Sequence, residues 1–274
     1  MIPAAFEYRR ASSLDEALAL LSDAGEDAKL LAGGHSLLPL MKLRLAAPSV
    51  LVDIGRLGEL SYVREDGDRL AIGALTRHRD VETNPLVAAH SPLLARVAGQ
   101  VGDPQVRHRG TIGGSIAHGD PASDLPAACL ALRASFSAVG PGGERRIDAS
   151  DFFLGFLETA LGPDEVLTEI SVPKSGGAGW SFQKFNRRAQ DWAIVGVAAV
   201  GGERSGVALV NMGPAPIRAA AVEAALAGGA SPVEAAERAD EGLDPPSDLN
   251  ASSDYRRHLA RVLVRRALEE AGAA

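Results

Sequence analysis

Two glycine pairs are the places in this 274-residue chain where bare backbone could do chemistry. Ala32-Gly33-Gly34-His35-Ser36 and Thr111-Ile112-Gly113-Gly114-Ser115 share one grammar: adjacent glycines closed by a serine. Without a Cβ, paired glycines let successive N–H groups turn toward a common point and let an anion come close. Ser36, Thr111 and Ser115 add hydroxyl donors. Two such loops could grip a pyrophosphate with neutral donors alone. A branched side chain at Gly33 or Gly114 is expected to block that anion while sparing the fold. One Gly-Gly pair is ordinarily a turn; two with matching ends ask for a ligand.

Other chemistries are missing. The sequence has no G-x-G-x-x-G, no G-x-x-x-x-G-K-[ST], no H-E-x-x-H, no C-x-x-C and no G-x-S-x-G. Those absences argue against a Rossmann dinucleotide site, a P-loop NTPase, a zinc hydrolase and a serine hydrolase. The net charge of −7, with basic residues only in short pairs such as Arg9-Arg10 and Arg187-Arg188, argues against nucleic acid. The single cysteine, Cys129, cannot form an internal disulfide or ligate an iron–sulfur cluster, and is expected as a small buried residue on a helix. His35 and His118 flank the glycine pairs without metal-ligand spacing and are expected to be polar loop residues. No basic-then-apolar leader is evident, and the longest apolar run, residues 193–200, is far too short to span a bilayer. The expectation is a soluble cytoplasmic chain without nucleic-acid partners.

The elements that would hold the two pairs follow from periodicity. Ser13 and Glu16 form a capping box opening a helix with Leu14, Leu18 and Leu21 as its buried stripe. Lys29-Leu30-Leu31 predicts a strand feeding the first pair, and residues 50–54 a second strand. Residues 62–64 and 70–72 flank Asp66-Gly67 as a hairpin. Helices are predicted over 77–82, 93–101 and 122–133, with the second pair as a loop between helices. Strands are predicted over 135–139 and 166–172, separated by a Pro141-Gly142-Gly143 turn. Pro173-Lys174-Ser175-Gly176-Gly177 is the candidate linker. Beyond it come three strands (180–185, 193–200, 207–210) and three helices (219–226, 232–239, 255–271).

On these residues the chain resembles a known family. The segment Leu30-Leu31-Ala32-Gly33-Gly34-His35-Ser36-Leu37, and Thr111-Ile112-Gly113-Gly114-Ser115 followed by Asp120-Pro121-Ala122-Ser123-Asp124, are similar to the FAD-binding subunits of molybdenum hydroxylases. The Gly-Gly-His-Ser form is most like the carbon monoxide dehydrogenase type, and the likeness continues through residues 167–173 and 185–193. The resemblance implies an α+β fold: a PCMH-type FAD-binding domain over 1–175, made of two α/β subdomains (about 1–56 and 57–175). A C-terminal domain over 176–274 would follow, a three-stranded antiparallel sheet with helices. It implies that Leu30 to Leu37 and Thr111 to Ser115 wrap the pyrophosphate and ribityl chain. Asp124 would accept a hydrogen bond from a sugar hydroxyl. Lys184 would lie near the flavin ring, where a cation favours the anionic reduced form. Val101 and Leu167 would line the adenine or the ring, and Trp192 would face the isoalloxazine. Ser115 stands where the family often has Asn.

The implied function is an electron-transfer flavoprotein. It would take electrons from the [2Fe-2S] clusters of a small subunit, which receives them from a large molybdopterin subunit, and pass them to an external acceptor. The implied assembly is a dimer of heterotrimers. A self-contained FAD-dependent oxidase or reductase is the alternative, though no acid or base stands out for it. A flavin-free scaffolding subunit is a third possibility.

Overall fold

The computed structural model describes residues 2–202 and 205–272. The chain begins with a small parallel sheet. It contains β1 (Glu7–Arg10), α1 (Leu14–Ala24), β2 (Ala28–Leu31), α2 (Leu37–Lys42) and β3 (Val50–Asp53), with strand order β1-β3-β2. Both outer strands run parallel to β3. Strand β1 was invisible to hydrophobic patterning because Glu7-Tyr8-Arg9-Arg10 is a mostly exposed polar edge; charged side chains on an edge also guard it against stray pairing. Ser13 caps α1 by accepting from the Glu16 N–H at 3.1 Å. The Glu16 carboxylate, however, bonds the Ser12 N–H at 2.7 Å and the Ser12 hydroxyl, so the return half of the box is displaced by one residue. The buried face of α1 is Ala17 and Leu21, with Leu14 and Leu18 half-buried beside them.

The second layer is built from β4 (Val63–Asp66), β5 (Arg69–Gly73), α3 (His78–Thr83), α4 (Pro85–His90), α5 (Pro92–Ala98), α6 (Pro104–Arg107), α7 (Ile112–His118), α8 (Asp124–Ala131), β6 (Ser135–Gly140), β7 (Gly143–Asp148), α9 (Ala149–Phe152), β8 (Phe153–Gly155), β9 (Glu158–Thr159) and β10 (Val166–Pro173). Its five-stranded sheet, ordered β4-β5-β10-β6-β7, is antiparallel throughout. The predicted hairpin is β4 and β5, turning at Gly67 with φ +58°. Helices α4 and α6 escaped periodicity because they are short. Asn84 and Asp103 cap them, each followed by Pro at the first helical position. Cys129 is fully buried on α8, and burial pushes its thiol up to about 12.

The last layer holds β11 (Trp180–Phe185), β12 (Val195–Val200), β13 (Gly206–Val210), β14 (Ile217–Arg218), α10 (Ala220–Ala227), α11 (Pro232–Ala236) and α12 (Ser253–Glu270). The expected three-stranded sheet has four strands, because β14 adds two residues to the edge beside β13. A two-residue strand leaves no alternation to read. Strands β12 and β13 are buried on both faces. Ala198, Ala208 and Val210 join the core of the middle layer, while Val197, Ala199, Val207 and Leu209 pack toward α12, as the two-residue period of a strand requires. The middle and last layers therefore share one core. Arg256, fully buried on α12, bonds the Ile194 carbonyl and the Asp248 carboxylate (2.8 Å), tying that helix to the segment that leads into β12.

Candidate functional site

The two glycine segments meet. A Cβ added to Gly33 would collide with the Arg109 carbonyl and come within 2.8 Å of Gly110 Cα. Beside this junction lies a cleft of about 810 Å³, within the usual range for a cofactor site. Leu30, Leu31, Ala32, Gly33, Gly34, His35, Ser36, Leu37, Val101, Thr111, Gly113, Gly114, Ser115, Asp124, Leu167, Lys184 and Trp192 all line it. Ile112 does not: it is fully buried in the core of the middle layer. Its place at the start of α7 points it away from the cleft side, which its neighbours Gly113 to Ser115 occupy.

The first segment is an open turn between β2 and α2. Gly34 sits at φ +78°, a conformation disfavoured for residues with a Cβ. The N–H groups of Gly33, Gly34, His35, Ser36 and Leu37 donate to no protein acceptor among the described residues; the first amide beyond them that does is Leu38, to the Gly34 carbonyl at 3.0 Å. Consecutive free amides of this kind form an anion nest.

The second segment is not a loop. Thr111 is the N-cap of α7, and Gly113 and Gly114 lie in its first turn. Its four amides from Ile112 onward are already spent: Ile112 donates to the Thr76 carbonyl (2.9 Å), Gly113 to the Ala74 carbonyl (2.9 Å), Gly114 to Thr111 Oγ1 (3.2 Å) and Ser115 to the Thr111 carbonyl (3.1 Å). Gly113 serves close packing, since a Cβ there would sit 2.5 Å from Ala74 Cβ. Gly114 is exposed toward the cleft, and a Cβ there would meet only Thr111 Oγ1. What this segment offers a ligand is a bare surface and the hydroxyls of Thr111 and Ser115.

A buried ion pair also lines the cleft. Lys184 on β11 reaches Asp124 Oδ2 at 2.6 Å and the Gln100 carbonyl at 3.2 Å. Both side chains are 6% exposed, so Lys184 is neither a solvated lysine nor a free cation: its charge is shared with Asp124. Burial pushes the Asp124 carboxyl up to about 6, against the opposing pull of Lys184. Asp124 Oδ1 is buried and has no donor. An orphaned carboxylate oxygen of this kind calls for a hydroxyl partner.

Leu167 is a core residue on β10 whose edge reaches the cleft, and Val101 is half-buried. Trp192 is 58% exposed on the segment between β11 and β12, so it belongs to the rim and not to the core. His35 is exposed on the first turn, whereas His118 ends α7 and is held below its ordinary value by burial. His78, Gln190, Asp191 and Leu157 also line the cleft and were not among the expected site residues. His78 lies in a charged stretch, Arg77-His78-Arg79-Asp80, that reads as a solvated helix face, yet it is buried because Gly110 folds against its ring. Leu157 stands at φ +57° in the turn of the β8–β9 hairpin. Among the described residues, no group of three or more His, Cys, Asp or Glu could hold a metal ion.

Comparison with known proteins identifies the family. Residues 4–175 match the family described as FAD binding domain in molybdopterin dehydrogenase, and residues 180–271 the CO dehydrogenase flavoprotein C-terminal domain. The chain is 45% identical over 285 residues to the carbon monoxide dehydrogenase medium chain of Hydrogenophaga pseudoflava, covering 100% of this chain and 99% of that one. It is 38% identical over 283 residues to subunit alpha of the 6-hydroxypseudooxynicotine dehydrogenase complex of Paenarthrobacter nicotinovorans, covering 99% and 96%. Among solved structures, carbon monoxide dehydrogenase from Hydrogenophaga pseudoflava superposes with a TM-score of 0.96 at 46% identity, over 100% of this chain and 99% of that one. The chain therefore belongs to the FAD-binding flavoprotein family of the molybdopterin dehydrogenases, with FAD as its cofactor.

Proposed function

We propose that this chain is the electron-transfer flavoprotein subunit of a molybdenum hydroxylase of the carbon monoxide dehydrogenase type. It would take electrons from the [2Fe-2S] clusters of a small partner subunit and deliver them to an external acceptor. The observation that carries the reading is the cleft itself, lined both by residues with five free amides and by Asp124, whose Oδ1 has no hydrogen-bond partner. That set of donors and acceptor fits a ligand whose pyrophosphate is flanked by hydroxyl-bearing sugar groups.

In this reading Gly33, Gly34, His35, Ser36 and Leu37 hold the pyrophosphate through their N–H groups, and Thr111 and Ser115 add hydroxyls. Leu30, Leu31, Ala32, Ile112, Gly113 and Gly114 shape the backbone around it. Asp124 accepts from a sugar hydroxyl through Oδ1 while Lys184 holds Oδ2. Val101 and Leu167 supply apolar contact, and Trp192 covers the ring from the rim. The bound FAD supplies the redox chemistry; the chain supplies position, exclusion of water and a fixed field.

The substrate site belongs on another chain. Relatives of nearly the same length are named for carbon monoxide and for 6-hydroxypseudooxynicotine, two substrates that no single pocket would share. The partners in this reading are a large molybdopterin subunit and a small [2Fe-2S] subunit in a dimer of heterotrimers, as closed symmetry favours. Residues 1–175 form the FAD-binding domain and 176–274 the C-terminal domain. A cytoplasmic location accords with there being, among the described residues, no helix long and apolar enough to cross a membrane.

The test is reconstitution. Acid precipitation of the purified protein should release intact FAD, since neither glycine segment offers a Cys or a Tyr; flavin left in the precipitate would point to His35, which lines the cleft. The chain alone should accept electrons from a strong reductant and pass them to a dye, but oxidise no organic substrate. Adding the two partner chains should restore substrate-dependent bleaching of the flavin. Turnover of an organic substrate by the isolated chain would replace this reading with a self-contained oxidase.

A further inference from the structure

Behind the second glycine pair lies a buried imidazole with no assigned task. His78 opens α3 and is 3% exposed. Its ring packs so closely on Gly110 that a Cβ there would come within 2.7 Å of both Cδ2 and Nε2, and the backbone N–H of His78 donates to the Gly110 carbonyl at 3.0 Å. Nε2 lies 3.3 Å from Ser115 Oγ. Nδ1 is buried with no hydrogen-bond partner.

These contacts bear on which nitrogen carries hydrogen. Burial, reinforced by the nearby His35 and Arg107, pushes the ring down to about 4, so it is neutral at physiological pH and has one N–H. Orphaned buried N–H groups are rarer than acceptors left short of a donor. The hydrogen therefore belongs on Nε2, where Ser115 Oγ can accept it. With its oxygen engaged from behind, the Ser115 hydroxyl keeps its own hydrogen for the cleft. Thr111 is arranged the same way, its Oγ1 accepting the Gly114 N–H at 3.2 Å. Each hydroxyl is loaded by an N–H on the protein side and left to donate on the ligand side.

We propose that His78 is a positioning residue that fixes Ser115 as a hydroxyl donor to a phosphate oxygen of the flavin cofactor. This rests on the cleft holding FAD. A free serine hydroxyl rotates to suit any neighbour; one engaged from behind has lost that freedom before the ligand arrives, which is preorganisation.

The experiment uses the full-length chain, with whatever subunits copurify, and measures FAD dissociation by flavin fluorescence. His78→Phe and Ser115→Ala should each weaken binding about tenfold, the scale of one hydrogen bond. The double variant should be no weaker than either single one, because both remove the same bond. His78→Phe combined with Ser115→Asn should recover most of the affinity, since an amide carries its own N–H and needs no orienting partner. Multiplying losses in the double variant, or wild-type affinity in His78→Phe, would overturn the proposal. Should His78→Phe fail to fold, the ring ¹⁵N shifts of the wild-type protein decide instead. Hydrogen on Nε2 supports the proposal, and hydrogen on Nδ1 overturns it. A wild-type chain that holds no FAD would instead overturn the reading of the cleft on which the proposal rests.

Discussion

The two glycine pairs look alike in sequence and do opposite work. The first is a turn with five unspent amides and one glycine at positive φ. The second is the opening of a helix whose amides from Ile112 to Ser115 are committed, with one glycine serving packing and the other serving access. One segment supplies donors; the other supplies room and two oriented hydroxyls. A shared motif therefore says where backbone comes close to something, but not whether the something is a ligand or the protein itself.

Valine substitutions separate the two roles. Gly33→Val should have the larger effect, and here the sequence-based expectation of an intact fold needs correcting. Its Cβ would meet the Arg109 carbonyl before it met any ligand, and overpacking costs about 1–3 kcal/mol. We expect no retained flavin and a Tm lower by several degrees, at about 2–4 °C per kcal/mol. Gly114→Val should also lose the flavin, yet, with both variants and the wild type melted free of flavin, it should at most disturb the Thr111 cap, worth about 1 kcal/mol. Thermal melts beside flavin content in both variants check the contrast. Equal melting losses would erase the distinction between the segments, and stoichiometric FAD in Gly114→Val would remove that residue from the cleft wall.

Asp124→Asn sharpens the comparison from the acceptor side. It should weaken FAD binding by about 1.5–3 kcal/mol, the range for bonds to a charged group, in an equilibrium titration. The same variant carries a pH signature in the cofactor-free chain. Burial raises the Asp124 carboxyl to about 6, so its contribution to stability is fully present below its ordinary value near 4 and lost as pH rises through 6. His78 runs the other way: depressed to about 4, it contributes above its ordinary value near 6.5 and loses that contribution as pH falls through 4. Between pH 7 and 4 the two oppose each other. Asp124→Asn should therefore be more acid-sensitive than wild type, and His78→Phe less; Tm curves parallel to wild type across that window would contradict both.

Much of the fold was legible because it obeys short-range rules. The Asp66-Gly67 hairpin, the Ser13 cap and the doubly buried strand β12 each carry a local signature. What escaped was set by distant partners or by too few residues. Strand β1 is polar and takes its shape from β3, and β14 is two residues long. At the site, the glycines, Asp124 and Lys184 could be named from the resemblance. Their pairing at 2.6 Å could not, because it joins α8 to a strand of the next layer. His78 was hidden for the same reason: its neighbour Gly110 is close only in three dimensions.

The cleft draws its wall from all three layers: the first turn from the parallel sheet, α7 and Asp124 from the middle layer, Lys184 and Trp192 from the last. A ligand seated there touches three bodies at once and so acts as a cross-link. By mass action, free FAD at about 100 times its dissociation constant adds roughly 2.7 kcal/mol to the folded state. The same linkage makes the melting temperature of this protein a measure of how much flavin surrounds it.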